Sequence, residues 1–438
     1  MKMTKPSPRE LATGSGFGKG YDYPPRPGER WRRRLQTQAK QMAQRLLRAV
    51  LGTLGQLDAW LHRWQPRPPL VPPSFHPRRI LVIRTDLLGD VVLTLPTVHA
   101  LRRAYPQAEI TMVVLPANAA LVRDQPDIDR VVTCDPNAWL GNLFNRTERQ
   151  KILATMQELR RAKYDLAVSV CGDWASIVAR LAGATRRVGF AGEAYAHFLT
   201  DPVPGRRFAL GLREHEYGLL LAAHAGGIVD PPGSAARLPH LRVSEAAHEA
   251  VQTLLVAAGI PTGQAIVALH AGSGNGQAKR WPLPAWARLA DQLIETEGVA
   301  VVLIGAPGDK PLAQSVLRRM RQPARAIDLT GKTSLPELAA LLATCAVVVT
   351  GDSGPLHVAE AVGTRVVAIH GPTDPAQSGP CHPTSIVLWR HIWCAPCYDS
   401  RATAECRFGN PLCIKGITPA EVLAATQTQL GAVPPASR

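Results

Sequence analysis

A chain of 438 residues exceeds one ordinary domain, and its balance of 46% apolar to 19% charged side chains is that of a folded globular protein. The net charge of +16 would suggest a nucleic-acid binder if it were spread evenly. It is not: residues 1–78 hold 15 Lys and Arg against 4 Asp and Glu, a net +11, which leaves +5 for the rest and argues against a nucleic-acid-binding core.

The N-terminus, MKMTKPSPRE, lacks the apolar stretch of a signal peptide, and no run of 18 apolar residues follows, so the cytosol is the expected compartment. Residues 1–29 are rich in Gly, Pro and charge and are expected to be disordered. From Trp31 to Trp64 apolar residues recur every three or four positions, which predicts a long amphipathic helix. Its other side carries Arg32, Arg33, Lys40, Arg45 and Arg48, and Trp60 and Trp64 sit near its end. Such a helix suits either an anionic membrane surface or docking on protein, its own body or a second subunit. The stretch QPRPPLVPPSFHP then makes a stiff linker, so residues 1–77 read as an extension.

From Arg78 the pattern becomes α/β. RRILVIR, AEITMVVL, RVVTCD and YDLAVSV predict strands, with a helix over Thr147–Ala162, and residues 78–235 read as a first domain. A second block, residues 262–438, opens with AIVALH and continues through VAVVLIG, ARAIDL, CAVVVTG and RVVAIHG. Such short, continuous apolar runs suit parallel strands buried on both faces, and two doubly wound halves would enclose a cleft. Four turns follow these strands: Arg84–Asp90, His270–Trp281, Gly305–Asp309 and Gly351–His357. Three lie in the second half, the better candidate for a nucleoside diphosphate. In VVVTGDSGPLHVAEAVG a strand passes through a Gly-containing turn into a helix whose N-terminus suits a phosphate; equally, Asp352 and Ser353 could merely cap that helix while His357 packs. HAGSGNGQAKRWP has no Gly-Lys-Ser/Thr and is no Walker A loop.

These motifs, ILVIRTDLLGDVVLTLP, HAGSG…KRWP, LIGAPGD, LTGKTSLPELAALLATC, VTGDSGPLHVAEAVG and HGPTDP, occur in order over about residues 78–425 and resemble glycosyltransferase family 9, which contains the ADP-heptose:lipopolysaccharide heptosyltransferases. The resemblance implies a GT-B fold: α/β, two Rossmann-like domains facing a central cleft, here with an N-terminal helical extension. It implies an inverting transfer of sugar, heptose from ADP-heptose in the family, from a nucleotide donor to a glycolipid acceptor, with no metal required for the chemistry. Carried onto this sequence, it makes Asp90 the base that takes the acceptor's proton, a residue that spacing alone would read as a helix cap, with Asp86 as fallback. It makes Lys279 and Ser273 phosphate ligands, places Asp309 by the nucleoside ribose, and lines the diphosphate turn with Asp352, Ser353, Gly354, Pro355 and His357. Arg84 and Asp86 are expected near the acceptor, with Arg84 meeting an anionic group on it. The location implied is the inner face of the cytoplasmic membrane, with residues 31–64 as the membrane contact. Within enzymes, a GT-B sugar-nucleotide epimerase is the alternative; outside them, a non-catalytic nucleotide-sugar or nucleic-acid binding protein.

Eight cysteines are too few for a secreted disulfide framework, and four of them, Cys394, Cys397, Cys406 and Cys413, crowd into one stretch. A CxxC pair with two further cysteines is a candidate structural zinc site, although disulfides or free thiols fit the irregular second pair equally. Cys134, Cys171, Cys345 and Cys381 are isolated and read as core residues.

Overall fold

The computed structural model describes residues 42, 53, 75–136, 146–171, 174–193, 195–207, 209–274, 276–398 and 405–431. The amphipathic helix expected over 31–64 lies outside the described residues apart from Met42 and Thr53. Two six-stranded sheets organise the rest. The first contains β1 (Arg79–Arg84), β2 (Glu109–Val114), β3 (Arg130–Thr133), β4 (Leu166–Cys171), β5 (Arg186–Phe190) and β6 (Asp201–Val203) in the order 3-2-1-4-5-6. The second contains β7 (Ile266–His270), β8 (Ala300–Leu303), β9 (Ala326–Asp328), β10 (Val347–Gly351), β11 (Arg365–His370) and β12 (Ile386–Trp389) in the order 12-11-10-7-8-9. Every pairing is parallel. Renumbered from its own first strand, the second sheet repeats the order of the first, so the two halves are doubly wound in the same way. This is the GT-B arrangement that the motif series implied.

The central strands are buried as their apolar runs predict: Ile80–Ile83 and Val347–Val349 are fully inaccessible. Helices cover both faces, as all-parallel sheets require. Those that matter below are α1 (Leu88–Val92), α2 (Leu95–Ala104), α3 (Glu214–His224), α4 (Glu245–Ala257), α5 (Leu283–Thr296), α6 (Leu335–Thr344), α7 (Gly354–Ala361) and α8 (Pro419–Gly431). Helix α3 packs on α2 and β4 of the first half, and α4 packs on α6 of the second, so the joining segment is itself helical. The C-terminal α8 lies against α5, β10 and β11.

In a sheet of this order, ligands bind at the carboxyl edge where strand order reverses. That point lies between β1 and β4 in the first sheet and between β7 and β10 in the second. The turns after β1, β7 and β10 are therefore the Arg84–Asp90, His270–Trp281 and Gly351–His357 segments. The two edges meet through α1 and α7, which pack together. Their contact needs glycine on both sides: a Cβ on Gly89 would lie 2.7 Å from His357 Cδ2, and one on Gly354 would lie 3.0 Å from Leu88 Cβ. Backbone thus meets backbone where the halves touch, and the two predicted turns share one cleft.

Candidate active site

On the first half, Arg84 ends β1 with its side chain only 1% exposed and is surrounded by carboxylates. Its Nη2 donates to Asp90 Oδ1 at 2.8 Å and to Glu214 Oε1 at 2.9 Å, while Nε lies 3.2 Å from Asp86 Oδ2. Burial would lower the guanidinium pKa, but Asp90, Glu214 and Asp86 together hold it above its ordinary value. Arg207, from the loop after β6, completes the group: its Nη2 lies 2.8 Å from Glu214 Oε1 and 3.5 Å from Asp90 Oδ1, and its Nε donates to Glu214 Oε2 at 3.0 Å. Asp90 is therefore no helix cap; the residue at the cap position of α1 is Leu87, with no side-chain bond. Arg84 points inward to these carboxylates, so its place in the fold is to hold Asp90 rather than to reach into open solvent.

On the second half, the turn after β10 leads into α7. Neither Asp352 nor Ser353 caps that helix. Ser353 Oγ instead contacts Thr350 Oγ1 at 2.9 Å and His270 Nδ1 at 3.1 Å and donates to Gly351 O at 3.2 Å. Asp352, 7% exposed, binds Lys279 Nζ at 2.7 Å. Burial pushes its carboxyl pKa up, but Lys279, with His370 and His357, draws it below the ordinary range. Lys279 also lies 4.9 Å over the ring of Tyr398. With no side chain capping α7, its first N–H groups and the Lys279 ammonium offer one positive turn, the arrangement that binds phosphate.

Among the described residues, four buried polar atoms in the turns after β7 and β10 have no hydrogen-bond partner: Ser273 Oγ, Gln277 Oε1, Arg280 Nε and His357 Nδ1. An unpaired buried hydroxyl costs about 1–3 kcal/mol unless something bonds to it, so Ser273 is a donor awaiting an acceptor. His357 and His370 are kept neutral; burial is the main cause for both, and it pulls His370 down to about 4. Asp309 lies across the turn, its Oδ2 accepting from Ala306 N at 3.0 Å and 3.7 Å from His270 Nε2. Burial raises its pKa, but His270 leads the effects that bring it below the ordinary carboxylate value. Pro355 occupies the first turn of α7.

The fold therefore gathers Ser273, Lys279, Asp352, Ser353, Gly354, Pro355 and His357 about one turn, and Asp86 and Asp90 on the α1 side of the same cleft. Sequence reasoning missed Arg207, Glu214 and Tyr398. Arg207 and Glu214 sit in the loop and helix start RRFALGLREHE, where nothing but charge sets them apart.

The four clustered cysteines carry free thiols, as do the buried Cys134 and Cys345. Burial raises the pKa of Cys394, Cys397 and Cys413, and the neighbouring thiols raise each further. Cys397 N donates to Pro372 O at 2.8 Å, and Cys413 Sγ lies beside Gly371, so the loop is seated next to β11. Among the described residues no three His, Cys, Asp or Glu side chains form a group that could hold a metal ion. Cys381 is half-buried, with its sulfur 3.2 Å from His215 Nδ1. No helix of the described residues is long and apolar enough to cross a membrane.

Comparison with known proteins agrees with this fold. The model of Glycosyltransferase family 9 (heptosyltransferase) matches residues 152–407, a stretch that takes in the three turns of the second half and begins after Asp90. Lipopolysaccharide heptosyltransferase 2 of Escherichia coli K12 is 29% identical over 303 residues, 68% of this chain and 84% of that protein. Lipooligosaccharide heptosyltransferase 2 of Haemophilus ducreyi is 26% identical over 324 residues, 71% of this chain and 88% of the relative. Among solved structures, the family 9 glycosyl transferase of Veillonella parvula superposes with a TM-score of 0.69 at 25% identity, covering 81% of this chain and 98% of that one. The Escherichia coli ADP-heptose lps heptosyltransferase II does so with a TM-score of 0.63 at 25% identity, covering 80% and 98%. The chain belongs to glycosyltransferase family 9, and it is a glycosyltransferase.

Proposed function

We propose that this enzyme moves a sugar, heptose from ADP-heptose by analogy with its relatives, from a nucleoside diphosphate onto a lipopolysaccharide-type glycolipid, with inversion at the anomeric carbon. The observation that carries the reading is the contact of α1 with α7, which sets the Asp90 carboxylate across the cleft from the turn of Lys279 and Ser273. Asp90 takes the proton of the acceptor hydroxyl as its oxygen bonds to the anomeric carbon. The bond from that carbon to the β-phosphate oxygen breaks, and its electron pair leaves with the nucleoside diphosphate. Negative charge grows on the leaving oxygen, where Lys279, Ser273 and the N-terminus of α7 stabilise it without reorganising. Asp352 holds the Lys279 ammonium in place, and Asp309 is set to meet the ribose.

None of these steps uses a metal. The cysteine loop has a supporting part, because it carries Tyr398 to Lys279. Acting on a glycolipid, the enzyme would work at the inner face of the cytoplasmic membrane, with the basic residues of 1–78 drawn to anionic lipid.

The test is a thermal-shift panel of nucleotide sugars followed by a transfer assay with NMR of the product's anomeric centre. ADP-heptose should give the largest stabilisation, since a ligand that binds only the folded state stabilises by mass action. The product should have the anomeric configuration opposite to the donor's. Retention of configuration, or turnover of the donor to another free sugar nucleotide, would overturn the proposal.

A further inference from the structure

We infer that Glu214 is a positioning residue for the transfer: it balances the charge of the two guanidiniums that fasten Asp90, so that the carboxylate is held in place without an excess of positive charge beside it. The inference rests on Asp90 being the base. Glu214 opens α3, and its side chain, 6% exposed, lies under the cleft floor. It takes three guanidinium contacts, from Arg84 Nη2 at 2.9 Å, Arg207 Nη2 at 2.8 Å and Arg207 Nε at 3.0 Å. Among the described residues, Asp90 receives the same two arginines through Oδ1, at 2.8 and 3.5 Å, and Oδ2 is the oxygen we assign to the acceptor.

Two fixed cations beside one carboxylate would orient it well but would also make it a poor base, because they favour its ionised form. A general base works best when it is held in place without being over-stabilised. Glu214 resolves that conflict by giving each guanidinium a second anion. The other groups facing Asp90 are Asp86, from its own turn, and the neutral His357, from α7. Asp86 is 31% exposed and lies 3.9 Å from Arg207 Nη1, so Glu214 is the buried and closer counter-charge.

The sign of the effect makes the test sharp. With ADP-heptose and a de-O-acylated, heptose-deficient lipopolysaccharide as substrates, turnover is measured against pH. In Glu214→Gln, Asp90 faces two under-compensated cations, so the acid limb should move to lower pH by about one unit. Plateau turnover should fall about tenfold while the donor Kd stays within about twofold. In Arg207→Gln a cation is lost, and the limb should move to higher pH. The double variant should return it towards the wild-type position. A purely structural role for Glu214 would lower turnover without moving either limb, and limbs that stay in place or move in the same direction overturn the inference. If Glu214→Gln fails to bind donor, Arg207→Gln decides alone: an upward move supports the inference and no move ends it. Asp90→Asn separates the two levels, since normal turnover there would remove Asp90 as the base, whereas its loss with unmoved limbs would remove only the role of Glu214.

Discussion

Replacing Lys279 with methionine perturbs the diphosphate turn in two separable ways. The Lys279 side chain is largely buried and bonded at 2.7 Å to the buried Asp352, so its removal strands a buried carboxylate. Breaking such a pair from one side costs about 3–5 kcal/mol. His370 and His357 are close to Asp352 but neutral at pH 7, so they do not replace the lost charge and the full loss is expected there. Without Lys279, burial dominates the Asp352 pKa and raises it, so the deficit should be largest at neutral pH and shrink as the pH falls. The second effect is on the donor: a charge-assisted hydrogen bond contributes about 1.5–3 kcal/mol, so the ADP-heptose Kd should rise by about 10- to 100-fold. Denaturant unfolding reads the first effect, and calorimetric titration the second. Lys279→Met/Asp352→Asn tells them apart, because it removes the stranded charge and should recover most of the stability while leaving donor binding weak. A double variant as unstable as the single one would refute the buried-charge argument, and an unchanged Kd in Lys279→Met would refute its role at the phosphates.

Ser273→Ala deletes a hydroxyl with no hydrogen-bond partner among the described residues, so stability should hold within about 0.5 kcal/mol while donor affinity falls about 5- to 10-fold by titration. Because His370 is buried neutral with its pKa drawn from 6.5 to about 4, the unfolded chain binds its proton first, and stability should fall as the pH drops through that window; His370→Gln should flatten that part of the unfolding profile. Deleting residues 1–70 should leave donor binding intact but reduce activity on liposome-embedded acceptor far more than on a soluble acceptor fragment, and equal losses would assign the extension to protein contacts. Thiol titration before and after chelation, with metal analysis, checks the cysteine loop: the free thiols of Cys394, Cys397, Cys406 and Cys413 predict no metal and the same thiol count with or without chelator, and about one equivalent per chain with thiols released only by chelator would contradict it.

The strand-turn-helix units could be read from the sequence because parallel strands buried on both faces need unbroken apolar residues. RILVIR, IVALH and VVVTG announce themselves for that reason. The strands that were missed break the rule. Strand β5 opens with Arg186 and Arg187, and the guanidinium of Arg186 pairs with the buried Asp201 of β6 and lies over the ring of Phe75. Strand β6 is the three residues DPV, and β12 is a half-exposed edge. The turn proposed for the donor stands out in the sequence because its glycines, serine and lysine lie close together after strands. The arginine–carboxylate cluster was not, because β1, the loop after β6 and the start of α3 meet only in the fold, across 130 residues between Arg84 and Glu214. Spacing alone favoured capping for Asp90; the family resemblance pointed away from it, and the side chain's bond to Arg84 agrees.

The most direct test of the account is Asp90→Asn, measured for both ADP-heptose binding and transfer. Asparagine keeps the shape of the side chain but cannot take the proton, so transfer should fall by about 100-fold or more while the donor Kd, set by the turn across the cleft, changes less than about twofold. Transfer within a few-fold of wild type, in a protein that binds the donor normally, would contradict it.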